Sequence, residues 1–561
     1  MISEKELINN IDQLISDLKV CINDAGITGD SSEFQIITEL FLFKFLNDKF
    51  KYKMKKLSPF LDQAENFDQA LATLSEKEFN KLCIKIGADT AVIKPDQTIG
   101  YLFNRQNDDF GDKNFADFLD YTLSMISSNN SGIFGVKISS KGNAINKIDL
   151  FEGVCKFIID INKRVTFAKS VISHLANSYN FEYVFEEKYD FFSTIFEHLI
   201  SDYNNNGGGV YAEYYTPKAV AQVIAKILVN GPMQNVTCYD PTAGSGTLLL
   251  ALAHEIGEDK CTIFSQDATQ KSVKLLRLNL ILNSLTHSLN NIHHGDILTE
   301  PACKDQKNNL QQFDLIISNP PFKLNFSSTQ PDCLCDSYQR GELKRFFAGV
   351  PKIPENDKDG MAIYLLVLQH IIYSLKDNAK AGIVVPTKFL DWTDKIAKKI
   401  REYLVSNKYL RAVVSMPSQI FANTGTSVSV LFIDKSVENN KVLLLDASEM
   451  GRQETIKINN KKVKKTILDQ ADQDFIINTI NNKTIIDGQS VYEDVETISK
   501  RNYSLVAGQY FDIKIEHENL TQEEFDKRME KYNIELKTLF DESNRLQCEI
   551  LSQMKKVKYN G

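Results

Sequence analysis

The chain has 561 residues, of which 43% are hydrophobic and 25% charged, and its formal net charge is −8. This length exceeds what one hydrophobic core serves, so we expect two or three domains, and no apolar run reaches the ~18 residues of a membrane span. The acidic balance disfavours a protein that binds duplex DNA unaided, because such binding needs basic side chains, supplied either by a local groove or by a partner.

The amino-terminal residues and the cysteines indicate a cytoplasmic protein with reduced thiols. Residues 1–6 include acids and lack the apolar core of a signal peptide. The nine cysteines are scattered and odd in number, which is unlike a disulfide framework. Cys333 and Cys335 form a C-x-C pair with no second pair or histidine cluster nearby, so we expect loop thiols there and no metal site.

Residues 1–165 are predicted to form a mostly helical domain. Ser3 and Glu6 have the spacing of a capping box, and apolar residues follow at helical intervals. The segment Phe34–Leu46 is apolar on nearly every side, which predicts a buried helix. This region has no glycine-rich loop or catalytic cluster, so we expect a packing and interaction domain.

Residues 166–435 alternate short β-rich runs with helical stretches, a pattern typical of a doubly wound, Rossmann-like α/β sheet. The predicted strands are Val236–Tyr239, Thr262–Phe264, Leu315–Ile317, Gly382–Val385, Ala412–Val414 and Ser427–Ile433.

Residues 436–561 are more polar and are predicted to end in a long helix at about 520–556. Thr521 and Glu524 can form a capping box. Apolar side chains then recur at alternating spacings of four and three residues, the heptad pattern of a coiled-coil seam. Because that seam is narrow for a globular face, we favour an oligomerisation helix over a helix packed on its own domain. The seam residues are Phe525, Met529, Tyr532, Leu536, Leu539, Ser543, Leu546 and Ile550.

A glycine loop, Asp240–Thr247, follows the first predicted strand and precedes a helix that starts at Leu248. Its glycines allow the backbone to approach a ligand closely. The dinucleotide fingerprint G-x-G-x-x-G fails, because Leu249 stands at the third glycine position. A triphosphate is excluded as well, because the loop has no G-K-[ST].

Two acids follow the loop in an order that suits a nucleoside. Asp267 ends the next strand, where a carboxylate can bind ribose hydroxyls. Asp296 and Ile297 offer a further carboxylate and an apolar neighbour for an adenine ring. Either acid alone is more often a solvated strand-end residue, but their order behind the glycine loop favours a charged, methyl-donating nucleoside.

The tetrad Asn-Pro-Pro-Phe at 319–322 directly follows a predicted strand and points to the chemistry. The exocyclic amine of adenine is a poor nucleophile because its lone pair is delocalised into the ring. The Asn319 amide oxygen and the Pro320 carbonyl can accept its N–H bonds and free the lone pair for attack on a methyl group, while the prolines fix the backbone. Phe322 can stack on a base swung out of the duplex. The alternative is a stiff turn at a strand end.

The ordered motifs resemble those of the modification subunits of type I restriction–modification systems. They are Y-Y-T-P at 214–217, D-P-T-A-G-S-G at 240–246, G-D-I-L at 295–298 and N-P-P-F at 319–322. Segments at 43–50, 195–199, 382–386, 416–421 and 424–426 also look familial, so the resemblance covers most of residues 35–435.

This resemblance implies a site-specific, adenine-specific DNA methyltransferase that transfers a methyl group from S-adenosylmethionine to N6 of a flipped adenine. The acid after the second strand is commonly glutamate in the family, and here it is the shorter Asp267. Thr216 suits the N-cap and Pro217 the first position of the following helix, and the resemblance adds cofactor contact for this segment. The expected catalytic residues are Asn319, Pro320, Pro321 and Phe322. The expected cofactor-binding residues are Glu213, Tyr214, Tyr215, Thr216, Pro217, Asp240, Thr242, Gly244, Ser245, Gly246, Thr247, Asp267, Asp296, Ile297 and Asn319.

The resemblance also implies partners. They are double-stranded DNA, a specificity subunit that docks on the C-terminal helix with two modification chains per specificity chain, and a restriction or translocase subunit. The N-terminal helical domain is expected to help clamp DNA. The stretch Lys323–Asp359, with Arg340, Lys344 and Arg345, is expected near the target strand.

Three other functions fit parts of this pattern. A solitary DNA adenine methyltransferase would need its own recognition domain, and we find none. A protein-glutamine methyltransferase acts on a chemically similar amide, but such enzymes look like shorter N-P-P-Y proteins without the helical N-terminal domain. An inactive DNA-binding scaffold of a defence system would not need the intact tetrad at 319–322.

Overall fold

The structure is a computed structural model of the 561-residue chain, which divides into two compact units, residues 1–510 and 511–561. It describes residues 4–27, 31–87, 90–111, 113–131, 136–139, 145–148, 151, 153–178, 180–181, 185, 216–323, 344–351, 361–421, 427–458, 461–511 and 521–554. Ser3, Cys333, Cys335 and the familial segments at 195–199 and 424–426 lie outside these ranges. Within them, no helix is both long and apolar enough to cross a membrane.

The amino-terminal part is helical, as predicted. Its helices are α1 Glu4–Asp24, α2 Ser31–Leu57, α3 Pro59–Asp62, α4 Phe67–Thr73, α5 Glu76–Ile86, α6 Ile99–Arg105, α7 Phe115–Asn129 and α8 Ile161–Asn177, with a hairpin of β1 Val136–Ser139 and β2 Ile145–Ile148 between α7 and α8. Leu40, Phe43 and Phe45 on α2 are at most 1% exposed, which confirms the predicted buried helix. Helix α8 runs across residue 165, where we expected the domain to end, and packs on α1 and α7.

A nine-stranded sheet forms the centre of the first unit and confirms the doubly wound α/β fold. Its strands are β3 Val236–Asp240, β4 Cys261–Asp267, β5 Ile292–His294, β6 Phe313–Ser318, β7 Leu375–Pro386, β8 Leu410–Ser415, β9 Val428–Asp434, β10 Lys441–Asp446 and β13 Ser490–Asp494. Their order is β13-β10-β8-β9-β7-β6-β3-β4-β5, and β9 and β13 run antiparallel to their neighbours. Strands β10 and β13 extend the sheet past residue 435, where we expected the domain to end.

Helices cover the sheet, and its strands are apolar runs because both of their faces are buried. They are α9 Lys218–Leu228, α10 Thr247–Ile256, α11 Gln270–Leu282, α12 Tyr364–Tyr373, α13 Lys395–Ser406, α14 Gln470–Asn482 and α15 Val495–Lys500. All seven residues of β9 are buried, as expected for a strand whose two faces are both covered. A separate two-stranded ribbon, β11 Arg452–Ile458 and β12 Lys461–Ile467, lies between β10 and α14.

The parallel strands place their carboxyl ends at one edge of the sheet, which is where ligands bind in open α/β folds. Asp240 ends β3, Asp267 ends β4, and Ser318 ends β6 next to the predicted tetrad. Since β3 lies between β4 and β6, the glycine loop is flanked by the predicted ribose acid on one side and by the tetrad on the other.

The second unit contains one long helix, α16 Gln522–Met554. The predicted capping box is present, because the N–H and Oγ1 of Thr521 donate to Oε2 of Glu524 at 3.0 and 2.9 Å and the N–H of Glu524 donates back to Thr521. Large apolar side chains along this helix are exposed, among them Tyr532, Leu539 and Ile550.

Candidate active site at the carboxyl edge of the sheet

A cavity of about 140 Å³ lies at the carboxyl ends of β3, β4 and β6. It brings together residues that are up to 105 positions apart in the chain. Its lining is Thr216, Asp240, Thr242, Ala243, Gly244, Ser245, Thr247, Leu248, Asp267, Ala268, Thr269, Asn319 and Pro321. Most of the predicted cofactor residues that the structure describes therefore meet at one place. Glu213, Tyr214 and Tyr215 lie outside the described residues.

The glycine loop is fixed in a conformation that favours glycine. Gly244 and Gly246 have φ values of +55° and +86°, which an L side chain rarely adopts. A Cβ added at Gly246 would overlap Leu276 of α11. On the same helix, Nδ2 of Asn279 donates to the carbonyl of Ser245 at 2.7 Å. Helix α11 thus supports the loop from behind, and sequence reasoning did not identify it because the contact spans 34 residues.

Asp267 faces the glycine loop across the cavity. Its Oδ2 accepts the N–H of Gly244 at 3.0 Å, and its Oδ1 accepts the N–H and Oγ1 of Thr269 at 2.9 and 3.1 Å. These bonds hold the carboxylate in one orientation beside the cavity. Oδ1 already accepts two hydrogen bonds, whereas Oδ2 accepts one and has a second lone pair, so the side chain is able to bind a ribose hydroxyl through Oδ2.

Asp240 joins the end of β3 to the end of β6. Its Oδ1 accepts from Oγ of Ser318 at 2.8 Å and from the N–H of Thr242 at 2.9 Å. The side chain is almost fully buried, and burial raises the pKa of Asp240 to about 7. This bridge fixes the spacing between the glycine loop and the tetrad. Ser318 was missed at the sequence level, where its position directly before Asn319 was the only available signal.

The tetrad is oriented by Thr216, which lies 103 residues earlier in the chain. Nδ2 of Asn319 donates to Oγ1 of Thr216 at 3.2 Å. This use of the amide nitrogen leaves Oδ1 as the atom that can accept a hydrogen bond from a substrate amine. The expectation that Thr216 caps helix α9 was wrong: the helix begins at Lys218, Pro217 takes the N-cap position, and the Thr216 hydroxyl bonds Asn319 instead.

Phe322 lies beside a cluster of aromatic side chains at the same edge. Its ring meets Tyr364 edge to face at 6.2 Å between centroids, and Tyr364 meets Phe389 in the same way at 6.1 Å. Phe322 is partly exposed, so one part of its surface packs and another is accessible. Pro320 is buried and Pro321 lines the cavity, so the turn places both polar and aromatic groups at its mouth.

Asp296 and Ile297 lie next to Asp267 but are not part of the cavity lining. The N–H of Gly295 donates to the carbonyl of Asp267 at 2.9 Å, which places their loop beside β4. Ile297 is 6% exposed. Both adenine-side residues are therefore neighbours of the cavity, and their predicted contact with the cofactor stays a prediction.

Arg345 supports that loop from the interior. Its Nη1 donates to the carbonyl of Ile297 at 2.9 Å and to Nδ1 of His370 at 3.0 Å, and its Nη2 donates to the carbonyl of Leu298. Burial lowers its pKa to about 10. The Arg345 side chain is 3% exposed and bonds the protein backbone, so it is not available to contact DNA, and the position of the stretch Lys323–Asp359 near the target strand stays a prediction. Arg340 lies outside the described residues, and Lys344 is exposed.

His370 continues this buried chain of polar groups. Burial, with the charge of Arg345 beside it, holds the pKa of His370 well below its usual range, so the ring is neutral. A neutral ring that accepts from Arg345 at Nδ1 donates from Nε2, and Nε2 lies 3.1 Å from the hydroxyl of Tyr239 on β3. Within the described ranges, no group of three or more His, Cys, Asp or Glu side chains could hold a metal ion.

The doubly wound sheet, the glycine loop after its first strand and the asparagine–proline turn after the neighbouring strand β6 define an α/β protein of the methyltransferase class. The family model of the N-6 DNA methylases matches residues 187–519, and the chain belongs to that family.

Relatives of known name are similar in sequence. The methylase subunit of the type I restriction enzyme MpnII of Mycoplasma pneumoniae is 26% identical over 338 residues, which cover 59% of this chain and 59% of that protein. The methylase subunit of type I restriction enzyme MjaIX of Methanocaldococcus jannaschii is 25% identical over 377 residues, covering 64% and 62%. The matched segments thus span about three fifths of the length of these relatives.

Solved structures share the fold. The methyltransferase subunit of a type I restriction-modification system from Streptococcus thermophilus superposes with a TM-score of 0.69 at 22% identity, covering 91% of this chain and all of that one. A modification subunit of a type I restriction enzyme from Vibrio vulnificus gives a TM-score of 0.50 at 17% identity over 89% of this chain.

Proposed function

We propose that this chain is the modification subunit of a type I restriction–modification system and transfers a methyl group from S-adenosylmethionine to N6 of a flipped adenine in DNA. The hydrogen bond from Asn319 to Thr216 at the rim of the cavity carries this proposal. The bond uses the amide nitrogen and leaves the amide oxygen as an acceptor at the rim of the cavity. The tetrad, the glycine loop and membership of the N-6 DNA methylase family support the same function.

The residues around the cavity fit S-adenosylmethionine. The backbone of the glycine loop lines the cavity at Gly244, where φ is +55°, and Asp267 presents a carboxylate for ribose hydroxyls. Asp240 and Thr242 lie on the side of the tetrad, where buried oxygens suit the cationic end of such a ligand. When bound, the cofactor supplies an electrophilic methyl group on a sulfonium.

The tetrad prepares the amine for attack. Oδ1 of Asn319 and the carbonyl of Pro320 accept the two amino hydrogens, which favours tetrahedral geometry and localises the lone pair on nitrogen. The amine would then be the nucleophile toward the methyl group that bound S-adenosylmethionine would supply, and its extra proton would leave to water. Phe322 stacks on the extruded base, which is unreachable inside the duplex. No covalent nucleophile of the protein is needed.

The partners follow from the same proposal. Duplex DNA is the substrate, and a specificity subunit chooses the sequence while a restriction or translocase subunit belongs to the assembled system. The exposed heptad seam of α16 is the docking surface for the specificity subunit, with two modification chains for each specificity chain.

The first experiment measures tritiated methyl transfer to DNA by this chain alone and by this chain co-expressed with its genomic neighbour, followed by analysis of the modified base. Label in N6-methyladenine only with the neighbour supports the proposal. Label with the chain alone identifies a solitary methyltransferase, and no label in DNA under either condition overturns the proposal. Asn319→Ala is the matched control: it abolishes transfer while binding of S-adenosylmethionine largely survives.

A further inference from the structure

The ribbon β11–β12 is a basic surface on an acidic chain. From Thr455 to Leu468 the sequence has five lysines and no acid, whereas the whole chain has a formal net charge of −8. The only acid in either strand, Glu454, pairs with Arg452 at 2.7 Å, at the end of the ribbon away from its turn. Beyond Glu454, neither strand has an acid to offset the charge of its lysines.

The register of the ribbon concentrates the lysines. Lys457 pairs with Lys462, and Thr455 pairs with Lys464. Because residues two apart in a strand share a face, Lys457, Lys462 and Lys464 belong to one face, on which the neighbouring positions Gln453 and Thr455 are also polar. Like charges directly opposite each other are unfavourable for a β-pair, so a partner that neutralises them would stabilise the ribbon.

The ribbon lies at the edge of the sheet that carries the active site. The N–H and Oγ1 of Thr466 donate to the carbonyls of Gln419 and Ser418 at 3.1 and 2.6 Å, just past the carboxyl end of β8. The ribbon begins after the carboxyl end of β10, and the tetrad begins after the carboxyl end of β6. Four strand spacings of roughly 4.8 Å put these two starting points about 19 Å apart along the edge.

That separation matches a single stretch of duplex. DNA carries one negative charge per ~1.7 Å of its axis, so about 19 Å corresponds to roughly 5 or 6 base pairs. A two-stranded ribbon of seven-residue strands reaches roughly 24 Å and fits the dimensions of β-ribbons that contact DNA. The face with the lysines is held to the sheet at its Thr466 end, where Thr466 is buried and bonds Ser418, whereas Lys464 on the same face is exposed. Strands β11 and β12 pair with no further strand among the described residues.

We infer that the face of β11–β12 with Lys457, Lys462 and Lys464 contacts the phosphate backbone of duplex DNA flanking the base that enters the active site. This inference rests on the proposed function, since it adds a contact to the same DNA substrate. The contact is electrostatic and independent of sequence. It positions the duplex and takes no part in the methyl transfer itself.

The test compares three full-length variants in complex with the specificity partner. Lys457→Gln/Lys462→Gln/Lys464→Gln removes three charges from the ribbon. Lys260→Gln/Lys304→Gln/Lys307→Gln removes three exposed charges at the opposite, amino-terminal edge of the same sheet and is the matched control. Arginine at the three ribbon positions keeps the charge and controls for folding. The probe is a fluorescein-labelled duplex of mixed sequence, titrated over a range of salt concentrations.

The ribbon glutamine variant is expected to bind the duplex roughly 100-fold more weakly at physiological salt and to lose about one unit of salt-dependence slope per lysine. Its kcat and its KM for S-adenosylmethionine stay unchanged, and both the arginine variant and the amino-edge variant bind like the unmodified complex. If the ribbon glutamine variant binds the duplex with unchanged affinity and salt slope, the inference is overturned. The lysines would then serve only to keep the ribbon from associating with other strands. In that case transfer by the unmodified complex still supports the proposed function. A complex that binds the duplex through the ribbon but transfers no methyl group fails the proposed function alone.

Discussion

The side-chain amide of Asn319 donates a hydrogen bond to the hydroxyl of Thr216 at 3.2 Å, although the two residues lie 103 positions apart in the chain. Thr216 precedes helix α9, and Asn319 follows strand β6. Thr216 is 6% exposed, so this bond is shielded from water. In this arrangement Nδ2 of the asparagine faces Thr216, and Oδ1 is the atom left to accept a hydrogen bond from a substrate.

Thr216→Val tests this relationship, because valine has the shape of threonine but no hydroxyl. We expect kcat for DNA methylation to fall about fivefold, which corresponds to the loss of roughly one hydrogen bond of ~1 kcal/mol. Thr216→Ser keeps the hydroxyl and should retain most of the activity. Steady-state kinetics at saturating cofactor and DNA measure the effect, and a valine variant as fast as wild type would remove Thr216 from the mechanism.

Asp240 should make the stability of the protein depend on pH. Burial raises its folded-state pKa to about 7, above the unfolded value of ~3.9. The stabilisation of the folded state that comes from protonated Asp240 is therefore fully present below about pH 4 and is lost as the pH rises to about 7. Relative to Asp240→Asn, wild type should lose up to about 4 kcal/mol of unfolding free energy over this window. Urea unfolding at several pH values measures the difference, and parallel profiles for the two proteins would contradict it.

Asp314 provides a control of opposite sign. Burial alone would raise its pKa, but hydrogen bonds from Lys376 and Thr237 outweigh burial and hold the pKa of Asp314 below its usual range. The stability that the ionised Asp314 side chain contributes is present above its unfolded pKa and is lost as the pH falls. Asp314→Asn should therefore change the pH profile in the direction opposite to Asp240→Asn.

Asn279 should set the affinity for the cofactor without touching it. Its Nδ2 holds the Ser245 carbonyl of the glycine loop at 2.7 Å. Asn279→Ala frees that part of the loop, and we expect KM for S-adenosylmethionine to rise about fivefold, with kcat at saturation nearly unchanged. Asn283, one turn further along the same helix, donates to the backbone carbonyl of Asn279 and thus bonds within the helix rather than to the loop. Asn283→Ala is thus the matched control, and an equal rise in KM there would point to general loosening of the helix.

The sequence was sufficient to predict those parts of the site whose residues are close together in the chain. The strands at 236–240 and 313–318 are apolar runs, and the glycine loop and the tetrad directly follow them, so residue type and order located the site. Asn279 and Ser318 were not predicted because their partners, Ser245 and Asp240, lie 34 and 78 residues away in the chain. No local pattern records which helix packs behind a loop.

Arg345 shows a different limit of prediction from sequence. A basic residue directly after a second one, here Lys344, normally indicates a solvated or nucleic-acid surface, yet the Arg345 side chain is buried among carbonyl groups. Strands β10 and β13 were missed because the polar composition after residue 435 outweighed one short apolar run, Val442–Leu445. Composition averaged over a long region hides a single strand that the sheet requires.

The buried position of Arg345 predicts a structural effect. Arg345→Met leaves the carbonyls of Ile297 and Leu298 without their donor, and we expect the free energy of unfolding to fall by roughly 2 kcal/mol. Lys344→Ala, at the exposed neighbouring residue, should change it by less than about 0.5 kcal/mol. Chemical denaturation measures both. A stable Arg345→Met protein with a reduced salt dependence of DNA binding would restore the role in DNA contact that the structure argues against.

The seam of α16 should control assembly and leave the catalytic unit intact. Leu536 and Leu539 occupy successive seam positions and are 51% and 62% exposed, while Lys537 lies between them off the seam. Glutamate at both leucines places charge inside a coiled-coil interface, so we expect loss of co-purification with the specificity partner. Deletion of residues 520–561 should have the same effect without lowering the melting temperature of residues 1–510, which form a separate compact unit. Lys537→Glu introduces the same charge off the seam and should leave the complex intact. Retention of the partner by the double glutamate variant and by the truncated chain would place the docking surface elsewhere on the protein.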